Sequence, residues 1–178
     1  MKNDIEKVLY SEEAIEKKVK EMGEKISKDY AGKDLLVVVI LKGSAIFAAD
    51  LVRNISIHCN MDFMAVSSYG SGTESSGEVK ILKDITNIEG RDVLIVEDIV
   101  DSGITLSHLL ELLQKRKPNS IEIATLLNKP SRRVAKVDVK YYGYEVPNEF
   151  LVGYGLDYDE KYRNLPYIGI LKREVYEK

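Results

Sequence analysis

The sequence places three carboxylates at the mouth of a turn that has the features of an anion site. Glu97 and Asp98 end the apolar run "VLIV", and Asp101 follows three residues later. Residues 102–105, "SGIT", then supply two hydroxyls and a glycine where a helix is predicted to begin. A helix N-terminus presents unpaired backbone N–H groups and a partial positive charge. This turn therefore predicts a pocket for a phosphate monoester.

The carboxylates suit a different part of the ligand from the phosphate. Two adjacent carboxylates, as at Glu97 and Asp98, can accept hydrogen bonds from a vicinal diol or hold a divalent cation. A phosphate site beside diol acceptors describes a ribose 5-phosphate, which leaves Asp101 as a general base or hydrogen-bond acceptor. The competing interpretation is a surface strand end whose solvated acids cap a helix. Neither the Walker loop nor the dinucleotide GxGxxG turn is present.

Strands and helices that alternate along the chain must position these residues. Continuous β-branched runs predict buried strands at 34–43, 91–98 and 120–129, and apolar periodicity predicts helices from Ser11 to about 30, over 44–55 and over 105–116. This order predicts an α/β fold with a mostly parallel sheet flanked by helices. Ligands of such sheets bind beyond the carboxyl ends of the strands. Lys42-Gly43, Glu97-Asp98 and Lys129 stand at three such ends.

Further strands are predicted on both sides of a loop and near the C-terminus. They cover 61–69, 78–82, 137–146 and 167–174. The stretch between the first two, "GSGTESSG", has no apolar anchor and predicts a mobile loop.

Composition narrows the class of protein. The chain has 178 residues, which fits one domain, and a formal net charge of -3, which argues against general nucleic-acid binding. Its one cysteine, Cys59, rules out an intrachain disulfide and favours a cytoplasmic setting. Two histidines and one cysteine are too few for the usual zinc clusters. No apolar run predicts a signal peptide or a membrane span.

Several motifs together resemble those of the type I phosphoribosyltransferases, and of their hypoxanthine-guanine branch in particular. They are "VLIVEDIVDSGITL", "LKGS", "SSYGSGTESSGEV", "LLNKPSRR" and "FLVGYGLDYDEKYRNLPYIG", and they span nearly the whole chain. The resemblance implies a Rossmann-like core over about 31–145 and a lid loop over about 68–78. It also implies a small hood, built from the N-terminal segment and about 146–178. The implied reaction joins hypoxanthine or guanine to phosphoribosyl pyrophosphate with the help of Mg²⁺.

The resemblance assigns roles in the sugar-phosphate half of the site. Glu97 and Asp98 bind the ribose hydroxyls directly or through magnesium, for which Asp157 is a third ligand. The residues that cradle the 5-phosphate are Asp101, Ser102, Gly103, Ile104 and Thr105. Asp101 also faces the imidazole ring of the purine, where it accepts a proton. Ile104 is apolar where some relatives carry a basic residue, so backbone N–H groups and hydroxyls must meet the phosphate charge.

A second group of residues is implied for pyrophosphate. The assigned residues are Lys42, Gly43, Ser68, Tyr69 and Arg163. The resemblance also implies a non-proline cis peptide near Leu41-Lys42. The lid that begins at Ser68 and Tyr69 would exclude water from the positively charged ribose of the transition state.

The purine is assigned to the strand end at Lys129 and to the chain after Val146. Lys129 would donate to an exocyclic oxygen, which favours 6-oxopurines over adenine. Phe150 would stack on the purine, Leu151 would offer backbone groups, and Asp157 would reach magnesium or the purine. The run 159–161 is interpreted as a solvated surface.

Two other classes of protein should show features that can be checked in the sequence. A regulator that senses the phosphoribosyl ligand and binds nucleic acid should show a basic face or an added DNA-binding module. A dinucleotide-dependent oxidoreductase should carry the glycine fingerprint. Neither feature is present, so the sequence predicts an enzyme of small-molecule substrates, with no nucleic-acid or membrane partner. The family also implies a homo-oligomer, a dimer or a tetramer.

Overall fold

Two β-sheets and four α-helices form the frame of the part of the chain that the structure describes. The computed structural model describes residues 1–68 and 78–177. The strands are β1 (Ile5–Tyr10), β2 (Leu35–Ile40), β3 (Cys59–Ser68), β4 (Val79–Lys83), β5 (Asp92–Val100), β6 (Ser120–Asn128), β7 (Tyr141–Glu145), β8 (Leu151–Val152) and β9 (Ile168–Leu171). The helices are α1 (Glu12–Asp29), α2 (Ala45–Arg53), α3 (Ile104–Gln114) and α4 (Arg173–Tyr176).

The larger sheet has the order β4-β3-β2-β5-β6-β7 and is parallel except at β4. All six residues of β2 are buried, as its β-branched run predicts for a strand covered on both faces. Helices α1 and α2 pack on one face of the sheet, and α3 packs on the other. The predicted α/β fold with a mostly parallel, helix-flanked sheet is therefore confirmed.

The helix boundaries follow local chemistry. Ser11 caps α1, because its hydroxyl accepts a hydrogen bond from Ala14 N at 3.2 Å. Gly103 precedes α3 with φ +79°, a left-handed conformation that glycine adopts without steric cost. Helix α3 begins at Ile104, one residue earlier than the sequence predicted. No helix in residues 1–68 or 78–177 has the length and apolar character needed to cross a membrane.

A three-stranded antiparallel sheet, β1-β9-β8, joins the two ends of the chain. The sequence predicted β9 but neither β1 nor β8. Strand β1 has three exposed residues in a row and β8 has only two residues, so neither gives a periodic signal. The strand predicted over 167–174 ends at Leu171, and the chain then forms the short helix α4. The strand predicted over 137–146 covers only Tyr141–Glu145.

Candidate active site

Three parallel strands bring their carboxyl ends to one edge of the large sheet. Strand β5 lies between β2 and β6, with Val96 paired to Val39 and Glu97 paired to Thr125. The loop after β2, the acids of β5 and Lys129 after β6 are thus neighbours. The sequence predicted that Glu97 and Asp98 end this strand. Strand β5 instead continues to Val100, so both acids lie within it.

The loop after β2 lies directly against Asp98. The peptide bond between Leu41 and Lys42 is cis, which confirms the prediction from the "LKGS" resemblance. A Cβ atom on Gly43 would overlap the carboxylate Oδ2 of Asp98. Only glycine therefore allows this approach. The buried hydroxyl of Ser44 donates to Ile40 O and holds the loop to the strand.

The paired acids are partly buried and poorly compensated. Burial raises the pKa of Glu97 well above its usual value, and repulsion from Asp98 adds to the effect. Burial likewise raises the pKa of Asp98, although a hydrogen bond from Ile99 N at 2.7 Å and the charge of Arg163 oppose it. Hydroxyl donors or a cation bound here would relieve this unfavourable burial of charge.

These acids fit magnesium as partial ligands. Within residues 1–68 and 78–177, no three Asp, Glu, His or Cys side chains converge on a metal site of their own. Magnesium needs hard oxygen ligands and is often held by one or two carboxylates with substrate phosphates. Glu97 and Asp98 supply such oxygens, while Asp157 Oδ1 is engaged with Arg163 Nη1 at 3.2 Å.

The predicted phosphate turn forms the N-terminus of α3. Ser102 Oγ accepts from Ile104 N at 3.4 Å, and Thr105 lies half-buried in the first helical turn. Gly103 has no side chain with which to cap the helix, so the backbone N–H groups of the first turn after Ile104 are available to an anion. That residues 101–105 bind a phosphate stays a prediction.

Arg133 fastens this turn to the loop after β6, a role that the sequence interpretation missed. Its Nε donates to Asp101 O at 3.0 Å, its Nη1 donates to Val137 O at 3.2 Å, and its Nη2 donates to Asn128 Oδ1 at 2.5 Å. Val134 N and Ala135 N also donate to Ser102 O. The available signal in the sequence was the pair Arg132 and Arg133, which follows a predicted strand end. In the structure Arg133 is half-buried and Arg132 is exposed.

A cavity of about 600 Å³ opens beside Asp101. All four residues predicted to bind the purine line it, namely Lys129, Phe150, Leu151 and Asp157. Lys129 is 7% exposed, and its Nζ donates to Glu149 O at 3.2 Å. Asp101 Oδ1 lies 3.4 Å from Arg132 Nε and makes no hydrogen bond with the described residues. The cavity thus joins a buried ammonium, an aromatic face and a carboxylate.

The aromatic wall of this cavity has more members than the sequence predicted. Phe150 stacks on Tyr176 of α4, with ring centroids 4.8 Å apart and planes inclined by 27°. Tyr158 meets Phe150 edge-on at 5.5 Å. Tyr176 also lines the cavity. The role of Tyr176 was not predicted, because residues 167–174 were expected to form a strand and α4 was not expected.

Arg163 connects Asp157 to the loop after β2. Its Nη1 donates to Gly155 O at 2.8 Å, and its Nη2 lies 3.0 Å from Glu160 Oε1. Glu160 Oε2 in turn lies 2.9 Å from Lys42 Nζ. These hydrogen bonds lower the pKa of Glu160. The interpretation of 159–161 as a solvated run fits all three residues, because the side chain of Glu160 is 63% exposed even though it pairs with Lys42 and Arg163, while Asp159 and Lys161 pair with each other.

One of the predicted residues that the structure describes is not brought into this group. Ser68 is exposed at the end of β3, where it pairs with Val79, and it does not line the cavity. Tyr69 and the body of the predicted lid lie outside the described residues.

The sequence of the chain is similar to those of known proteins. Residues 7–159 match the family model of the phosphoribosyl transferase domain. The chain is 58% identical, over its full length and 99% of the relative's, to the hypoxanthine-guanine phosphoribosyltransferase of Streptococcus thermophilus. It is 57% identical, with the same coverage, to that of Streptococcus agalactiae.

Solved structures agree. A hypoxanthine phosphoribosyltransferase from Staphylococcus aureus superposes with a TM-score of 0.98 at 57% identity, over 100% of this chain and 97% of that one. The hypoxanthine phosphoribosyl transferase of Trypanosoma cruzi superposes with a TM-score of 0.93 at 42% identity, over 97% of this chain and 94% of that one. That study concerned the role of the C-terminal region in oligomeric state and enzymatic activity.

Proposed function

The chain belongs to the phosphoribosyltransferase family, and from this premise we propose that it joins a 6-oxopurine to phosphoribosyl pyrophosphate. The enzyme acts in purine salvage as a hypoxanthine-guanine phosphoribosyltransferase, and its products are IMP or GMP and pyrophosphate. The full-length identity of 58% to a relative of that name supports this activity.

One observation carries the choice of purine. The cavity beside the phosphate turn contains a buried lysine, Lys129, next to the ring of Phe150. An ammonium only donates hydrogen bonds, so it pairs with the carbonyl oxygen of a 6-oxopurine and not with the amino group of adenine. Phe150 supplies a stacking face, and the backbone of Leu151 reaches the edge of the ring.

The remaining residues position the sugar and its leaving group. Glu97 and Asp98 accept from the ribose hydroxyls, while residues 102–105 hold the 5-phosphate at the start of α3. Lys42 and Arg163, with the backbone of Gly43, stabilise the departing pyrophosphate. Ser68 and Tyr69 are proposed to enter the pyrophosphate side when the loop over about 68–78 closes.

Asp101 is the residue that accepts the proton that the purine must lose. The carboxylate lies at the junction of the cavity and the phosphate turn, where it can accept the proton from the imidazole ring. Holding both substrates in line supplies much of the rate enhancement, because a bimolecular reaction becomes an intramolecular one.

Magnesium is the proposed cofactor, with Glu97, Asp98 and Asp157 as its protein ligands. When bound, it neutralises the charge that develops on pyrophosphate. Glu97 and Asp98 would also orient the ribose by accepting hydrogen bonds from its hydroxyls. Removal of magnesium with a chelator should therefore abolish turnover.

The proposal extends to the organisation of the chain. The three-stranded sheet and the segment after about 146 form the hood over the purine, and residues 31–145 form the core. A dimer or tetramer is proposed, which agrees with the interest in oligomeric state for the Trypanosoma cruzi relative. The free thiol of Cys59 agrees with a reducing, cytoplasmic compartment.

A purine panel tests the proposal. The enzyme is incubated with phosphoribosyl pyrophosphate, magnesium and either hypoxanthine, guanine, xanthine or adenine, and pyrophosphate release is measured. Turnover with hypoxanthine or guanine, and little with adenine, is expected. Failure to turn over any 6-oxopurine would overturn the proposed function.

A further inference from the structure

Glu160 pairs with both cations that flank the proposed pyrophosphate site. Its Oε2 lies 2.9 Å from Lys42 Nζ, and its Oε1 lies 3.0 Å from Arg163 Nη2. One carboxylate thus bridges an ammonium from the loop after β2 and a guanidinium from the chain before β9. A phosphate group presents oxygens to such a pair in the same way.

The backbone places Glu160 at this position. Asp159, Glu160 and Tyr162 have φ values of +52°, +59° and +77°, which residues other than glycine rarely adopt. Asp157 Oδ2 accepts from Glu160 N at 2.9 Å and closes the turn. Such a conformation persists only when its surroundings impose it. The contact of Glu160 with the two cations is therefore a built feature of the turn and not a chance meeting of flexible side chains.

We propose that Glu160 is a positioning residue that occupies the pyrophosphate-binding cations as an internal counter-ion. The phosphate oxygens of phosphoribosyl pyrophosphate or of pyrophosphate replace its carboxylate when they bind. This inference rests on the proposed function, because that function assigns Lys42 and Arg163 to pyrophosphate.

Phosphate oxygens can displace the Glu160 carboxylate because its ion pair with Lys42 is weak. The side chains of Lys42 and Glu160 are 70% and 63% exposed, and exposed ion pairs contribute little free energy. Glu160 therefore holds the cations in place before the substrate arrives without excluding it. The same carboxylate competes for the cations after the reaction and so promotes release of pyrophosphate.

The substitution Glu160→Gln tests this role, with Asp159→Asn as a matched control. Asp159 is adjacent and exposed, and it pairs only with Lys161 among the described residues. Inorganic pyrophosphate is titrated, in the presence of magnesium, into wild type and both variants by calorimetry. Loss of the competing carboxylate should tighten pyrophosphate binding of Glu160→Gln by about threefold to tenfold, because the exposed ion pairs that it breaks are weak. Asp159→Asn should match wild type.

Kinetic measurements separate this role from a structural one. Product inhibition by pyrophosphate should strengthen in Glu160→Gln by the same factor, while KM for hypoxanthine stays unchanged. Pyrophosphate affinity that is equal to or weaker than that of wild type would overturn the inference. If Glu160→Gln has a lowered melting temperature, Glu160→Ala is measured as a second variant against the same expectation.

The two proposals fail separately. Titration with pyrophosphate needs no turnover. It therefore measures the effect of Glu160 on pyrophosphate affinity even if the purine substrate has been assigned wrongly. A wild-type enzyme that turns over hypoxanthine and a Glu160→Gln variant with unchanged pyrophosphate affinity would refute only the role of Glu160. A wild-type enzyme inactive on every 6-oxopurine would refute the proposed function.

Discussion

At the scale of single residues, Asp101 is the group whose position most directly implies proton transfer. Asp101→Asn keeps the size of the side chain and removes its basicity. Turnover should fall by about a hundredfold or more, the usual contribution of a general base. KM for phosphoribosyl pyrophosphate should change much less, because the backbone contacts of Arg133 with Asp101 O remain.

Steady-state kinetics with hypoxanthine as the fixed substrate measure both quantities. Asp138→Asn is the control, since Asp138 is exposed on the loop that Arg133 fastens. Equal losses in turnover and in substrate affinity would mean that Asp101 only shapes the phosphate turn.

Glu97 should cost the unliganded protein stability at neutral pH. Burial raises the pKa of this carboxyl above the usual value of 4.5. A carboxyl whose pKa is raised by folding stabilises the fold fully below its unfolded pKa, and that contribution disappears as pH rises through the folded-state pKa. Glu97→Gln removes the ionisation and should therefore melt at a higher temperature than wild type above this range.

Melting temperatures measured from pH 4.5 to pH 8 test whether folding raises the pKa of Glu97. The difference in melting temperature between Glu97→Gln and wild type should grow as pH rises. The exposed Glu89 provides the control variant Glu89→Gln. A difference that shrinks as pH rises would contradict the assignment of a raised pKa.

The sequence predicted residues well where their neighbours in sequence share their chemistry, and poorly where they do not. Asp101 and residues 102–105 form one local turn, so their pattern alone was enough to predict a phosphate pocket. Glu160 meets Lys42, which is 118 positions away, and no local pattern encodes that contact. Asp159, Glu160 and Lys161 are three charged residues in a row, which is typical of an ordinary surface segment.

At the scale of elements, α4 is the short helix that completes the aromatic wall. Tyr176→Ala removes the ring stacked on Phe150, and such aromatic pairs contribute about 0.5–1.5 kcal/mol. KM for hypoxanthine should rise by about twofold to tenfold, because Phe150 is then less well held. KM for phosphoribosyl pyrophosphate should change less, since the contact that is removed is with Phe150, which is proposed to bind the purine.

Initial-rate kinetics on three variants separate stacking from hydrogen bonding. Tyr176→Phe keeps the ring and should behave as wild type, and Tyr142→Ala removes an exposed tyrosine of β7 as the control. Unchanged purine affinity in Tyr176→Ala would show that the stacking is not used in binding.

Elements differ in how visible they are in the sequence, for a physical reason. Strands β2 and β5 are buried on both faces, so their apolar runs identify them without knowledge of the fold. Strands β1 and β8 are held by β9, which pairs with both. Their structure depends on a partner far along the chain, and their own residues carry no clear period.

At the scale of the whole molecule, the segment around Gly155 rests on the loop after β2. A Cβ atom on Gly155 would overlap Gly43 O, and Gly155 has φ +99°. Tyr154 OH donates to Asp50 of α2, which fixes the same segment to the core. The C-terminal part of the chain thus contacts the large sheet at the loop that is proposed to bind pyrophosphate.

Gly155→Ala should disturb this junction, and Gly32→Ala is a matched control. Both glycines have positive φ, but a Cβ atom on Gly32 meets no atom within 4 Å. Each substitution incurs the backbone cost of roughly 1 kcal/mol or more. Only Gly155→Ala adds the clash, which should destabilise the fold by a further 1–3 kcal/mol or so and move Gly43 away from its position beside Asp98.

Chemical denaturation gives the free energy of unfolding of both variants, and pyrophosphate titration reports on the site. Gly155→Ala should be the less stable variant and should bind pyrophosphate more weakly, whereas Gly32→Ala should lose only stability. Equal stability of the two variants would show that the segment yields without strain. Because the clash lies between Gly155 and Gly43 O, a loss of pyrophosphate binding confined to Gly155→Ala would tie the contact between the two parts of the molecule directly to the site.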